Sequence, residues 1–424
     1  MYFVHDDHPG RRVALGYCLN VLAGEDLVAL ERSLEQTCAA VRERVAPDGV
    51  LGIGLYLPAK VAFALAEDRA AKRRDGLRRR LDGLGLAAFT ANAFPFGGFH
   101  RPGLKQRVFE PAWDERERAL FTAAVAVIAN DLAPDDARHV SISTHSGLHA
   151  SALPADAAAA RERVLACGRG MGLALGALDL LAQRTGRDTV LSIEPEPRSL
   201  AGDTRELAAV WPQLAEGARE ELAARGVADP DAVVARHLGV CLDTCHAAVE
   251  FESTAGVLER LTERRIGKVQ LASALRLPTP GDDAVGRARL LGLDEPVYLH
   301  QVTGRTPDGA LVRAGDLGEL ADDRDPAWDA CSEWRCHFHV PVDAPEPLPE
   351  AGGLTTTAAA GGELVGALLD APERWGTDDL HLEVETYTFD VLPPAWREGG
   401  LAAGLAREFE WARALLDGRG WRPA

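Results

Sequence analysis

The chain has 424 residues, 46% of them hydrophobic, and 64 acidic against 46 basic side chains give a net charge of −18. A polyanion partner needs a basic surface to neutralise its phosphates, so this balance argues against nucleic acid as a partner. No apolar run looks long enough to span a membrane, and residues 1–12, with His5, Asp6, Asp7 and His8, lack the apolar centre of a signal peptide. Seven cysteines, an odd number without regular spacing, fit reduced thiols and a cytoplasmic protein, and Cys241 and Cys245 have no second pair to complete a zinc site.

In chain order, residues 16–21 form a short apolar strand, and residues 26–45 carry helical periodicity through Leu27, Leu30, Leu34 and Val41. Residues 50–57 are a second strand, followed by a long helix over residues 59–81. The basic run 72–80 lies within that helix and alternates with Asp68, Asp75 and Asp82, as a solvated face does. Residues 86–93 form a third strand ending in Asn92. It runs into the aromatic, glycine-rich loop Phe94-Pro95-Phe96-Gly97-Gly98-Phe99-His100, which has the composition of a structured binding loop. After a helix at 114–132, the strand 140–144 opens onto His145, Ser146 and His149. A long alanine-rich helix at 155–183 leads to a strand ending at Glu194. A helix near 203–225 leads to a strand ending at Asp243, and a helix near 254–264 to a strand at 267–272.

Strict alternation of strand and helix, one unit every 30 to 50 residues or so, argues for a parallel α/β architecture. Seven units and the strand at Leu380 make eight. The expected fold is a TIM-type (β/α)8 barrel, one domain over residues 1–424, closed by a helix at 401–416. The stretch at about 276–378 is too long for one helix and is expected to be an insertion before the last barrel strand. It carries a β-hairpin around Pro307-Asp308-Gly309 and a further strand at 334–342. That is one strand too many for the ring, and either this strand or the one at Val269 lies outside it.

Glu194, Asp243 and Glu385 (or Glu383) end three strands, where this topology gathers catalytic groups at the barrel mouth. Three crowded carboxylates stay ionised only around a cation, here Mn²⁺, Mg²⁺ or Zn²⁺. The fourth ligand is either Gln270, a neutral amide, or His337 or His339, which share one face of a strand. The region 297–342 is expected to fold over the mouth.

Asp243-Thr244-Cys245-His246 resembles the Asp-Thr-x-His element of xylose-isomerase-like TIM barrels, a group that includes ketose epimerases and endonuclease IV. The stretch from Gly267-Lys268-Val269-Gln270 to Ala274-Leu275-Arg276 is similar to the seventh-strand segment of ketose epimerases, with Gln270 in place of a metal-binding His. Residues 89–100, Ile193-Glu194-Pro195-Glu196-Pro197, residues 336–341 and residues 381–389 more narrowly resemble the EboE family of metabolite-traffic proteins. The resemblance implies Glu194, Asp243, Glu385 and a fourth residue as metal ligands, Glu194 and Glu385 as the groups that move a proton, and His246 at the substrate. Asn92, His100, His145, Glu196, Arg276, His337 and Glu383 are the further expected substrate contacts. It also implies a gene cluster for metabolite export, with a membrane protein as partner.

Two readings of the same pocket follow. One is a metal-dependent isomerase or epimerase acting on a small hydroxylated metabolite, and the other a carrier that binds without turnover. A third, phosphodiester hydrolysis as in endonuclease IV, is opposed by the net charge.

Overall fold

The computed structural model describes residues 1–22, 24–100, 103–322, 325–344 and 346–424. In chain order the strands are β1 (Tyr2–Val4), β2 (Arg12–Cys18), β3 (Leu51–Tyr56), β4 (Leu86–Asn92), β5 (His139–His145), β6 (Asp188–Glu194), β7 (Leu238–Asp243), β8 (Ile266–Leu271), β9 (Ser273–Pro278), β10 (Val302–Arg305), β11 (Leu311–Ala314), β12 (Glu333–Val340), β13 (Thr355–Thr356), β14 (Asp379–Val384) and β15 (Arg422–Pro423). Strands β2 to β8 lie side by side in parallel, and β14 closes the ring by pairing in parallel with both β8 and β2. The result is a closed barrel of eight parallel strands wrapped by helices. The short β1 and β15 add an antiparallel edge beside the start of β2.

Strand β8 belongs to the ring and β12 does not. Only Ala272 separates β8 from β9, so the chain passes straight from the end of a barrel strand into a second, antiparallel sheet of order β11-β10-β12-β9-β13. That sheet has its own core, which includes Leu275, Leu277, Val302, Trp334, Cys336 and Phe338. The opposite face of β12 carries His337 and His339, because successive residues of a strand point to opposite sides.

Two helices depart from the periodicity reading. The segment expected as one helix over 59–81 is two, Ala59–Ala66 and Ala71–Leu84. The break is held by Arg74, whose guanidinium donates to the carbonyls of Leu65 and Glu67 at 2.6 and 2.9 Å and pairs with Asp131. The helix Ala157–Thr185, with 29 residues, is long and apolar enough to cross a membrane, against the expectation that no such run exists. It buries Met171, Leu175 and Leu178 and lies tightly along the helix Thr204–Ala224. A Cβ at Gly168 would stand 2.4 Å from the Leu214 carbonyl oxygen, so the approach requires glycine there. All seven cysteines are free and buried.

Candidate metal centre

Strand ends deliver the three carboxylates. Glu194 ends β6, Asp243 ends β7 and Glu385 follows β14 by one residue; all three are buried. One oxygen from each lies within 4.8 Å of the others. Asp243 divides its two oxygens. Its Oδ1 accepts from the backbone N–H groups of Cys245 (2.7 Å) and His246 (3.0 Å), capping the helix Thr244–Val249. Its Oδ2 is buried without a hydrogen-bond partner, and so is Oε2 of Glu194. Burial, then the charges of Glu385 and Asp243, push the Glu194 carboxyl well above its ordinary range. Burial raises Asp243 as well, and Glu385 is raised by burial and then by Asp243. Buried carboxylates with unpartnered oxygens are costly unless a cation is shared among them, so this donor set fits a divalent ion.

Gln270 does not present an oxygen to that set. Its amide nitrogen donates to Glu385 Oε2, and its amide oxygen accepts from the Cys241 thiol. Asn20 and Asn92 donate to Glu385 Oε1 at 2.6 and 3.0 Å, so three side-chain amides fix the orientation of this carboxylate. So oriented, Gln270 holds Glu385 in place rather than facing the other two carboxylates. The alternative donors, His337 and His339, reach the site from β12 with His246. Their Nε2 atoms gather: His246 to His337 3.1 Å, His339 to His337 3.0 Å, His339 to His246 3.3 Å. His339 donates from Nδ1 to the Glu385 carbonyl at 2.8 Å, so its free nitrogen faces the other two imidazoles. Burial pushes His246 down to about 3 and His339 to about 4, and holds His337 well below the usual imidazole range.

Glu194, Glu385, His246, His337 and His339 line a cleft at the C-terminal end of the barrel. Val297, Tyr298 and Leu299 wall it from the segment that leads into β10, and Phe94, Phe99 and Tyr387 supply an aromatic rim. Asn92 and Glu196 line the cleft as well. Burial, then Asp243, pushes Glu196 up to about 8.

The remaining expected contacts lie elsewhere. Glu383 is fully buried inside the barrel, ion-paired with the equally buried Lys268. Arg276 stands on β9 and pairs with Glu333 at 2.9 Å, in the second sheet. His145 is buried against Phe94 and Phe109, behind the cleft wall. His100 acts through others, bonding the Asn20 carbonyl at 2.7 Å and the Tyr298 hydroxyl at 2.5 Å. The sequence reading missed Asn20, Tyr298 and Gln301. Asn20 stands two residues past the end of β2, as Glu385 stands one past β14, and the strand-end rule applied to the first strand would have found it.

No protein-family model and no curated protein sequence matches this chain. Among solved structures, it is similar to the IolI protein with a bound zinc atom, at 10% identity and a TM-score of 0.45, covering 96% of this chain and 98% of that one. A xylose isomerase domain containing protein from Salmonella typhimurium LT2 is similar at 13% identity and a TM-score of 0.39, covering 95% and 96%. The 3-keto-D-glucoside 4-epimerase YcjR from E. coli is similar at 15% identity and a TM-score of 0.33, covering 61% and 79%. At these identities and scores the likeness is one of architecture and carries no argument about chemistry.

Proposed function

We propose that this protein is a metal-dependent enzyme of the isomerase and epimerase class, acting on a small hydroxylated metabolite. The observation that carries the reading is the convergence of the buried Glu194, Asp243 and Glu385 carboxylates at the barrel strand ends, with Glu194 Oε2 and Asp243 Oδ2 unpartnered. A divalent cation held by these three residues, Mn²⁺, Mg²⁺ or Zn²⁺, supplies Lewis-acid polarisation of adjacent substrate oxygens. Glu194 takes a proton from the carbon between those oxygens and returns it. Glu385 is held in one orientation by Asn20, Asn92 and Gln270 and serves as the second proton carrier. Glu196 lines the same cleft, and burial raises its proton affinity. Phe94, Phe99 and Tyr387 keep bulk water from the reacting carbon.

The narrower likeness to the EboE family supports a cytoplasmic place in metabolite traffic, beside a membrane protein from the same gene cluster. In that setting the cleft also suits a carrier that binds without turnover. Incubation of metal-loaded protein with a panel of sugars and cyclitols in D₂O separates the two. The enzyme reading expects deuterium at one substrate carbon, lost in Glu194→Gln. A metabolite bound at one equivalent with no exchange on any panel member would replace the enzyme with the carrier.

A further inference from the structure

The three imidazoles pose a problem that the carboxylate centre does not answer. Each Nδ1 donates to a fixed acceptor: His246 to the Pro195 carbonyl at 3.0 Å, His337 to Gln301 Oε1 at 2.5 Å, His339 to the Glu385 carbonyl at 2.8 Å. Gln301 is locked in turn, its Nε2 donating to the Pro197 carbonyl at 2.9 Å, so its oxygen must face His337. A neutral imidazole whose Nδ1 carries the proton has a bare lone pair at Nε2. Three such lone pairs therefore meet at separations of 3.0 to 3.3 Å, with no hydrogen between any two of them. The Tyr387 hydroxyl, 3.3 Å from His337 Nε2, can donate to that one alone, and the arrangement of the three is otherwise repulsive. Three nitrogens each bonded to one zinc ion at 2.0–2.1 Å in tetrahedral geometry stand about 3.3 Å apart. An outer acceptor on each Nδ1 is also how ligating histidines are held.

We propose that His246, His337 and His339 form a second metal position, bound through their three Nε2 atoms and distinct from the carboxylate position. The two positions adjoin at Asp243, which groups with Glu194 and Glu385 on one side and with His246 and His339 on the other. Glu196 stands beside the imidazole position, with Oε2 3.6 Å from His246 Nε2, and is placed to add a fourth ligand. The chemistry of the two positions differs. Three imidazoles suit Zn²⁺ and related transition ions and discriminate against Mg²⁺ and Ca²⁺, whereas the all-oxygen set takes harder ions. This assignment rests on the proposed reading of the cleft as a metal centre, but its donors are separate ones. It also gives the second sheet a chemical task. With Gln270 turned to Glu385, β8 supplies no imidazole, and β12 brings two from outside the barrel.

Elemental analysis of the full-length protein, stripped with chelator and reloaded with Zn²⁺, counts the positions, and Co²⁺ absorption reports nitrogen-bound tetrahedral metal. The wild type is expected to hold two zinc equivalents and to show the Co²⁺ band, with Mg²⁺ failing to displace the imidazole-bound ion. His337→Gln should lose one equivalent and the band, its affinity there falling by more than about a hundredfold, beyond the cost of an outer hydrogen bond. Glu194→Gln should lose the other equivalent and keep the band. If His337→Gln does not fold, Gln301→Ala decides: it leaves every ligand in place and should weaken the imidazole position about tenfold or more. A single equivalent lost only in the His337 variant supports this position and removes the carboxylate-centred reading. Two equivalents retained in His337→Gln, or one equivalent lost alike in both variants, overturns the proposal.

Discussion

Asp243 shows how one side chain serves both structure and chemistry. Its Oδ1 caps the helix Thr244–Val249, while its Oδ2 is buried without a hydrogen-bond partner and the carboxylate groups with those of Glu194 and Glu385. The two tasks separate by substitution. Asp243→Asn keeps an oxygen for the cap and should unfold within about 1 kcal/mol of wild type, whereas Asp243→Ala should lose about 1 kcal/mol more. Both should abolish metal uptake at the carboxylates, as calorimetric titration would read. A second buried acid lies below the site. Glu408 on the helix Leu401–Asp417 accepts from the Thr386 hydroxyl at 2.6 Å and the Val342 N–H at 3.3 Å, and burial pushes its pKa from 4.5 up to about 8. A carboxyl raised in the fold contributes stability that is complete below about 4.5 and lost as pH rises towards about 8. Glu408→Gln should thus match wild type near pH 4 and exceed it by on the order of 5 kcal/mol above pH 8. Equal chemical-denaturation midpoints for the two proteins at alkaline pH would refute the assignment.

At the scale of elements, the barrel interior between β8 and β14 is joined by the Lys268–Glu383 pair, both side chains fully buried. Gly54 on β3 makes room for it, since a Cβ there would fall 1.4 Å from Glu383 Oε1. Removing one partner leaves an uncompensated charge, so Lys268→Met should cost about 3–5 kcal/mol, with most of that recovered in Lys268→Met/Glu383→Leu. Urea denaturation of the three proteins checks both figures; a single variant as stable as wild type would mean the pair contributes nothing. The eight barrel strands were legible in the sequence as short, largely apolar segments alternating with helices, though the first is Arg12–Cys18 and begins before the expected residues 16–21. Ring membership was not. β8 and β12 are both buried on both faces, and the pairing that distinguishes them is with strands far away in the chain. The gathering of Glu194, Asp243 and Glu385 followed from strand ends. The orientation of Gln270 depends on Cys241 and Glu385, 29 and 115 residues distant, and no local pattern encodes it. The broken helix at 67–70 is similar, since Arg74 caps carbonyls that periodicity treats as helical.

For the whole molecule, the barrel and the second sheet together make the site. The barrel contributes Glu194, Asp243, Glu385 and His246, and the second sheet contributes His337, His339 and one wall of the cleft. An acidic protein of net charge −18 attracts divalent cations to a mouth already lined with carboxylates. The central claim is that this mouth holds a metal ion between the three strand-end carboxylates. Anomalous diffraction from crystals grown with Mn²⁺ and Zn²⁺, recorded at each metal's absorption edge, tests it most directly. A peak is expected within bonding distance of Glu194, Asp243 and Glu385, absent in Asp243→Ala crystals. A map with no peak there at either edge, from crystals holding either metal at saturating concentration, would contradict it.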